Sequence, residues 1–293
     1  MPTLREVRSR INGVKKTQKI TRAMKMVSAA KLRRAQTAVL AARPYARTMH
    51  KLLGHLALQA GSEGHLLLRE RPVSAVTLVV VTADRGLSGA FSTNIIKAAQ
   101  ARMEEEYAAL LRAGRLHLVT VGRKGSDFFT KRRYPVERTY KGIFGKLAFT
   151  TAQEIARPLV ESFAAGKTDR IEIIYNEFKN VAQQRIVVDP FLPVPAEAAS
   201  EGARRYGADY IYEPDAATIL AALLPRYLDF RIWRVLLESN AAEEGARMTA
   251  MENATENASE LITTLQLQYN KARQAAITKE LLEVVAGAEA LNQ

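Results

Sequence analysis

The chain has 293 residues, 47% hydrophobic and 25% charged, a composition that supplies a packed core and excludes wholesale disorder. It contains no cysteine, which removes disulfides, thiolate metal sites, iron-sulfur clusters and thiol-based regulation, and no apolar run reaches the roughly eighteen residues of a membrane span. The net charge of +13 is concentrated, because residues 1–51 hold 14 Lys+Arg against one acid, Glu6, and so carry the whole excess.

From Leu4 the apolar residues Leu4, Val7, Ile11 and Val14 step by three and four, the seam of a coiled coil, and Ile20, Met24 and Val27 continue it in a shifted phase. No strong breaker precedes Pro44, which is expected to kink the helix without ending it. The pattern predicts one helix to about Leu58, roughly 80 Å long at about 1.5 Å per residue. The first thirty residues lack the apolar core of a secretory signal, so a bacterial-type cytoplasmic protein is expected.

The middle of the chain alternates strand-like and helix-like segments. SAVTLVVVT, LHLVTVG, RIEIIYNEF and QQRIVVD are β-branched runs of strand length, separated by the helical STNIIKAAQARMEEEYAALLRAG and TAQEIARPLVESFAAG. This is the pattern of βαβ units, hence a small, mostly parallel sheet with helices on its faces. Pro193 to Pro214 reads as an irregular loop. Beyond it, Met248, Met251, Ala254, Ala258, Leu261, Leu265, Tyr269, Ala272 and Ala276 again step by three and four within a helix predicted from residue 215 to 289. Many seam residues are Ala, Met or Thr, so the two long helices bury little alone and should pair with each other, antiparallel, and with something else. The expected divisions are residues 1–60, an α/β domain at 73–192, a loop at 193–214 and a helix at 215–293.

Signals for intrinsic catalysis are nearly absent. TADRGLSGAF, residues 82–91, places Asp84, Gly86 and Gly89 in a turn before a helix, but it is not G-x-G-x-x-G. VGRKGSDF, residues 121–128, lacks phosphate-loop spacing, and a tight strand-to-helix turn is the preferred reading of the first motif. His50, His55, His65 and His117 are scattered, Glu104, Glu105 and Glu106 read as a solvated face, and there is no nucleophile elbow. No catalytic residue, cofactor or metal is therefore expected.

What remains is the basic helix. Solvated faces carry mixed signs, whereas here neighbouring positives lie within a Debye length of about 8 Å and repel. The C-terminal helix holds 7 basic and 10 acidic residues from 216 onward, too few to neutralise it. An acidic partner outside the chain is expected. Nucleic acid is the alternative, since Lys and Arg bind phosphate without sequence preference, but the segment to residue 44 has no aromatic side chain to stack on bases.

Three segments, TQKITRAMKMVSAAKLRRAQ, TADRGLSGAF and ARMTAMENATENASELITTLQLQYNKARQAAITKELLEVVAGAEAL, resemble the gamma subunit of rotary ATP synthases, in that family's order, and the likeness covers nearly the whole chain. Ile277 to Ala290 is its most diagnostic stretch. The resemblance implies an antiparallel coiled coil plus a Rossmann-like domain, acting as the central shaft that couples proton flow to ATP synthesis or hydrolysis. The implied partners are the alpha and beta subunits of the catalytic hexamer, the epsilon subunit and the membrane ring of c subunits, without nucleic acid or direct membrane insertion. It also implies a peripheral location on the cytoplasmic face of the bacterial cell membrane.

By the same resemblance, Arg273 and Gln274 match contacts to the hexamer's catch loops, and Arg247 lies in a matching stretch. Met24 and Lys25 would lie by acidic loops of the beta subunits, and Tyr210 and Tyr212 in DYIYEPD would meet the membrane ring. The apolar tip VVAGAEAL matches the end held in an apolar sleeve. Ser88 and Ala90 depart from the family's usual Cys and Gly, and the cysteine-bearing insertion of chloroplast members is absent.

Overall fold

A computed structural model describes residues 3–60, 65–180, 184–194 and 212–291. The chain divides into two compact units, residues 1–28 with 248–293, and residues 29–247. Two long helices, α1 (Leu4–Ala60) and α6 (Ala216–Leu291), each contribute to both units. Pro44 and Pro225 lie inside these helices without ending them.

Residues 29–247 contain a five-stranded sheet of β1 (Val76–Val81), β2 (Leu116–Val121), β3 (Val136–Tyr140), β4 (Arg170–Phe178) and β5 (Gln184–Leu192). The order is β3-β2-β1-β4-β5, with β5 alone antiparallel to its neighbour. The mostly parallel sheet expected from the sequence is therefore present. Both faces are covered, which is why β1 is apolar at nearly every position. Val76, Leu78 and Val80 face a core completed by Phe91, Ile95, Ala99 and Met103 of α2 (Phe91–Glu105) and by Phe129 of α4 (Arg123–Lys131). Val79 and Val81 face a second core with Ile155, Leu159 and Phe163 of α5 (Phe149–Ala164). That core also takes Met49, Leu53 and Leu56 of α1 and Leu224, Leu228 and Val235 of α6.

Two details differ from the sequence reading. The helix expected over residues 92–114 is split into α2 and a short α3 (Ala108–Arg112). Tyr107 turns inward at the break, its hydroxyl donating to Glu172 Oε1 at 2.8 Å beside the forked Arg102 guanidinium, which donates to the same carboxylate at 2.7 and 2.9 Å. Strand β3 is an edge strand whose central Glu137, Arg138 and Thr139 are exposed, so it lacks the apolar signature of a strand. The VGRKGSDF segment leads from the end of β2 directly into α4. Within α5, Pro158 has no N–H to offer the carbonyl of Glu154, and the Tyr140 hydroxyl donates to that oxygen instead at 3.1 Å.

Candidate functional site

The candidate site is the outward surface of the two long helices. In the unit of residues 1–28 and 248–293 they run antiparallel, with Val7 and Ile11 packed on Leu265 and flanked by Val14 and Tyr269. The hydroxyls of Thr21 and Thr255 meet at 2.8 Å, and Lys25 Nζ donates to Glu252 Oε1 at 2.5 Å.

The expected seam changes here. Ile20 and Val27 are 60% and 56% exposed, whereas Thr21 and Ser28 are 9% and 2% exposed. The three-and-four register set by Val7, Ile11 and Val14 therefore continues without a phase shift, and polar residues occupy its middle. On α6 the corresponding correction is Leu261, which is 39% exposed while Ala258 and Leu265 are buried. The consequence is a row of apolar side chains pointing outward on α1, Ile20, Ala23 and Val27, with Met26 exposed beside it. That row was missed from the sequence, although extending the first register would have found it.

Lys16, Lys19 and Arg22 lie beside the row, and further basic side chains precede it along α1. Arg5, Arg8, Arg10, Lys15, Lys16, Lys19 and Arg22 are exposed, and none forms an ion pair among the described residues. Lys25 is different, being half-buried and paired, so part of the expected charge deficit is answered within the chain. Met24 is half-buried beside it, while Arg273 and Gln274 are both exposed on α6. Further along α6, Ile277, Leu281, Leu282, Val284 and Val285 are exposed.

The remaining expected residues lie in the unit of residues 29–247 or outside the described residues. Arg247 is buried, held by Glu243 four residues earlier and by Glu244 at 3.1 Å. It is thus a covered, internally neutralised guanidinium rather than an exposed charge. Tyr212 is half-buried against the core that faces α5, and Tyr210 lies outside the described residues.

The TADRGLSGAF turn has an internal purpose. Asp84 accepts hydrogen bonds from the backbone N–H groups of Arg123, Gly142 and Phe144 at 3.0, 2.7 and 3.2 Å. A carboxylate of the chain thereby occupies the N-terminal end of α4, where a helix would otherwise attract a phosphate. Gly122 closes the same region with φ +91°, and an added Cβ would meet Thr82 O at 2.0 Å. These contacts support the structural reading of the turn. Among the described residues, no group of three or more His, Cys, Asp or Glu is placed to hold a metal, and no helix is long and apolar enough to cross a membrane.

The comparisons agree with this architecture. Residues 3–291 match the family model described as ATP synthase. The chain is 49% identical to the ATP synthase gamma chain of Chloroherpeton thalassium, over 100% of this chain and 99% of that one. It is also 49% identical to the ATP synthase gamma chain of Cytophaga hutchinsonii, over 100% of both. Among solved structures it is similar to a chain of the Tetrahymena thermophila mitochondrial ATP synthase central stalk and c-ring, with TM-score 0.61 and 25% identity over 80% of this chain and 99% of that one. A chain of the Euglena gracilis mitochondrial ATP synthase shares the fold, with TM-score 0.69 and 23% identity over 98% of this chain and 94% of that one. Matched end to end at this identity, the chain belongs to the ATP synthase gamma-chain family.

Proposed function

We propose that this chain is the rotating central shaft of a rotary ATP synthase. It stands in a hexamer of alpha and beta subunits and turns with the membrane c-ring, to which the epsilon subunit and residues 193–214 help to join it. It has no catalytic site of its own. Its asymmetric surface gives three chemically identical sites different conformational equilibria, and rotation permutes them. The complex is peripheral to the cytoplasmic face of the cell membrane and is driven by proton flow.

The observation that carries this reading is the outward face of α1, where apolar Ile20 and Val27 sit among basic side chains that have no acid opposite them. Such a face is suited to a partner that is both acidic and apolar. Met24 and Lys25 lie at its border, Arg273 and Gln274 offer exposed hydrogen-bonding groups on α6, and Tyr210 and Tyr212 are assigned to the ring-facing end. Arg247 stands apart, because both of its carboxylate partners are in this chain.

Native mass spectrometry of the chain co-expressed with its alpha and beta subunits tests the proposal. One copy per six-subunit ring is expected. Arg273→Ala with Gln274→Ala should change the stability of the chain by no more than about 0.5 kcal/mol while weakening assembly or ATP turnover. A chain that purifies without the ring and carries salt-releasable nucleic acid would overturn it.

A further inference from the structure

From Arg231 to Arg247, α6 is covered on nearly all sides, yet it carries six charged residues, four of them buried and two half-buried. At about 100° per residue, Arg231, Arg234 and Glu238 fall on one side of the helix and Glu243, Glu244 and Arg247 on the other. The first side is tied to the sheet. Arg231 donates to Asp189 Oδ1 at 2.8 Å and to the carbonyls of Pro190 and Phe191 at 2.7 and 3.2 Å, all on β5. Arg234 lies 3.8 Å from Asp189 and 3.9 Å from Glu238. The second side is tied to α1, through Lys31 at 3.6 Å from Glu244, which also meets Arg247.

Burial pushes the carboxyls of both Glu238 and Glu243 up, by more than Arg234 and Arg247 pull them down. These charges are therefore expensive to cover, and apolar residues of similar volume would hold the helix at least as firmly. What an apolar collar cannot do is fix one rotational setting. Apolar contacts are non-directional and tolerate repacking, whereas a guanidinium fork on a carboxylate and two carbonyls is lost when the helix turns or slips. Specifying register is the best-attested use of buried polar groups in helices.

We propose that the contacts of Arg231 and Arg234 with Asp189 of β5, and of Glu244 with Lys31 of α1, form a rotational index, a set of positioning residues that holds α6 at one angle within residues 29–247. This inference rests on the shaft reading. A shaft that carries torque loads its longest helix in twist, and charged ties on opposite sides oppose twist in both senses.

The test uses the assembled complex, with the ring immobilised and a bead attached to the α/β portion of this chain. Lys31→Gln and Asp189→Asn are compared with Val235→Ala, which removes apolar volume from the buried α6 segment but no charge. Each charged variant is expected to widen the angular spread of the bead during dwells, while Val235→Ala leaves it unchanged. The inference is overturned if the charged variants keep the wild-type spread, or if all three variants widen it alike. It is overturned equally if the charged variants fail to assemble where Val235→Ala succeeds, since the charges would then serve folding. A wild-type complex that assembles but never rotates would instead defeat the shaft reading.

Discussion

Asp169 shows how single side chains fix the α/β body. It stands just before β4 and joins the chain leading into β1, accepting from Ser74 Oγ at 2.6 Å and from the N–H groups of Ser74 and Ala75 at 3.0 Å each. Arg71 lies 3.7 Å away. Burial alone would push its pKa up, but the Ser74 and Ala75 bonds, with Arg71, outweigh burial and hold it below the usual carboxylate range. A carboxyl with a folded pKa below its unfolded value of about 3.9 contributes stability that is complete above that value and lost as pH falls through the folded pKa. Asp169→Asn should therefore be less stable than the wild type at neutral pH, and the gap should close as pH drops below about 4. Urea denaturation across pH 3 to 7 measures this. A gap independent of pH would show that the ionised form is not what matters.

At the scale of the helices, the polar middle of the seam is the main departure from a simple coiled coil. Thr21 and Thr255 bond each other, and Thr255 Oγ1 also lies 2.7 Å from Met251 O, so neither hydroxyl is orphaned. Replacing both by Val removes donor and acceptor together, and the double variant is expected to stay within about 1 kcal/mol of wild type in thermal unfolding. Ser28→Leu should cost about 1–3 kcal/mol, because Ser28 is 2% exposed and the added volume has nowhere to go. If Ser28→Leu were neutral, that stretch of the seam would be looser than its burial indicates.

The same elements show what the sequence could and could not tell. Both long helices and four of five strands follow from apolar periodicity, which β1, β2 and β4 and much of the helices turn into buried faces or stripes. Strand β3 does not, because an edge strand with exposed Glu137, Arg138 and Thr139 has no such stripe. Ile20 and Val27 match an apolar spacing, yet Thr21 and Ser28 are the buried residues, because packing between distant helices and not apolar spacing alone decides which face is covered. The in-chain partners of Arg247 stood three and four residues away and were legible in principle. Its burial was not, because that depends on elements far away in sequence.

For the whole molecule, the decisive feature is where its charge is left unanswered. Residues 1–51 carry an excess equal to the full +13 of the chain, and among the described residues carboxylates of α6 form ion pairs with Lys25 and Lys31 of that stretch. Arg33 and Arg34 remain exposed, close in sequence to the outward row of Ile20, Ala23 and Val27. Exposed charges of this kind act mainly through steering, which salt screens over a Debye length of about 8 Å at physiological ionic strength. The apolar row acts at short range and is not screened. Association of this chain with an alpha and beta subunit ring should therefore slow steeply as salt rises, while dissociation changes little. Arg33→Gln with Arg34→Gln should flatten the salt dependence of the association rate, and Val27→Ala should instead speed dissociation. Stopped-flow association and chase measurements at several salt concentrations separate the two. An association rate indifferent to salt would mean that the basic face does not meet an acidic surface.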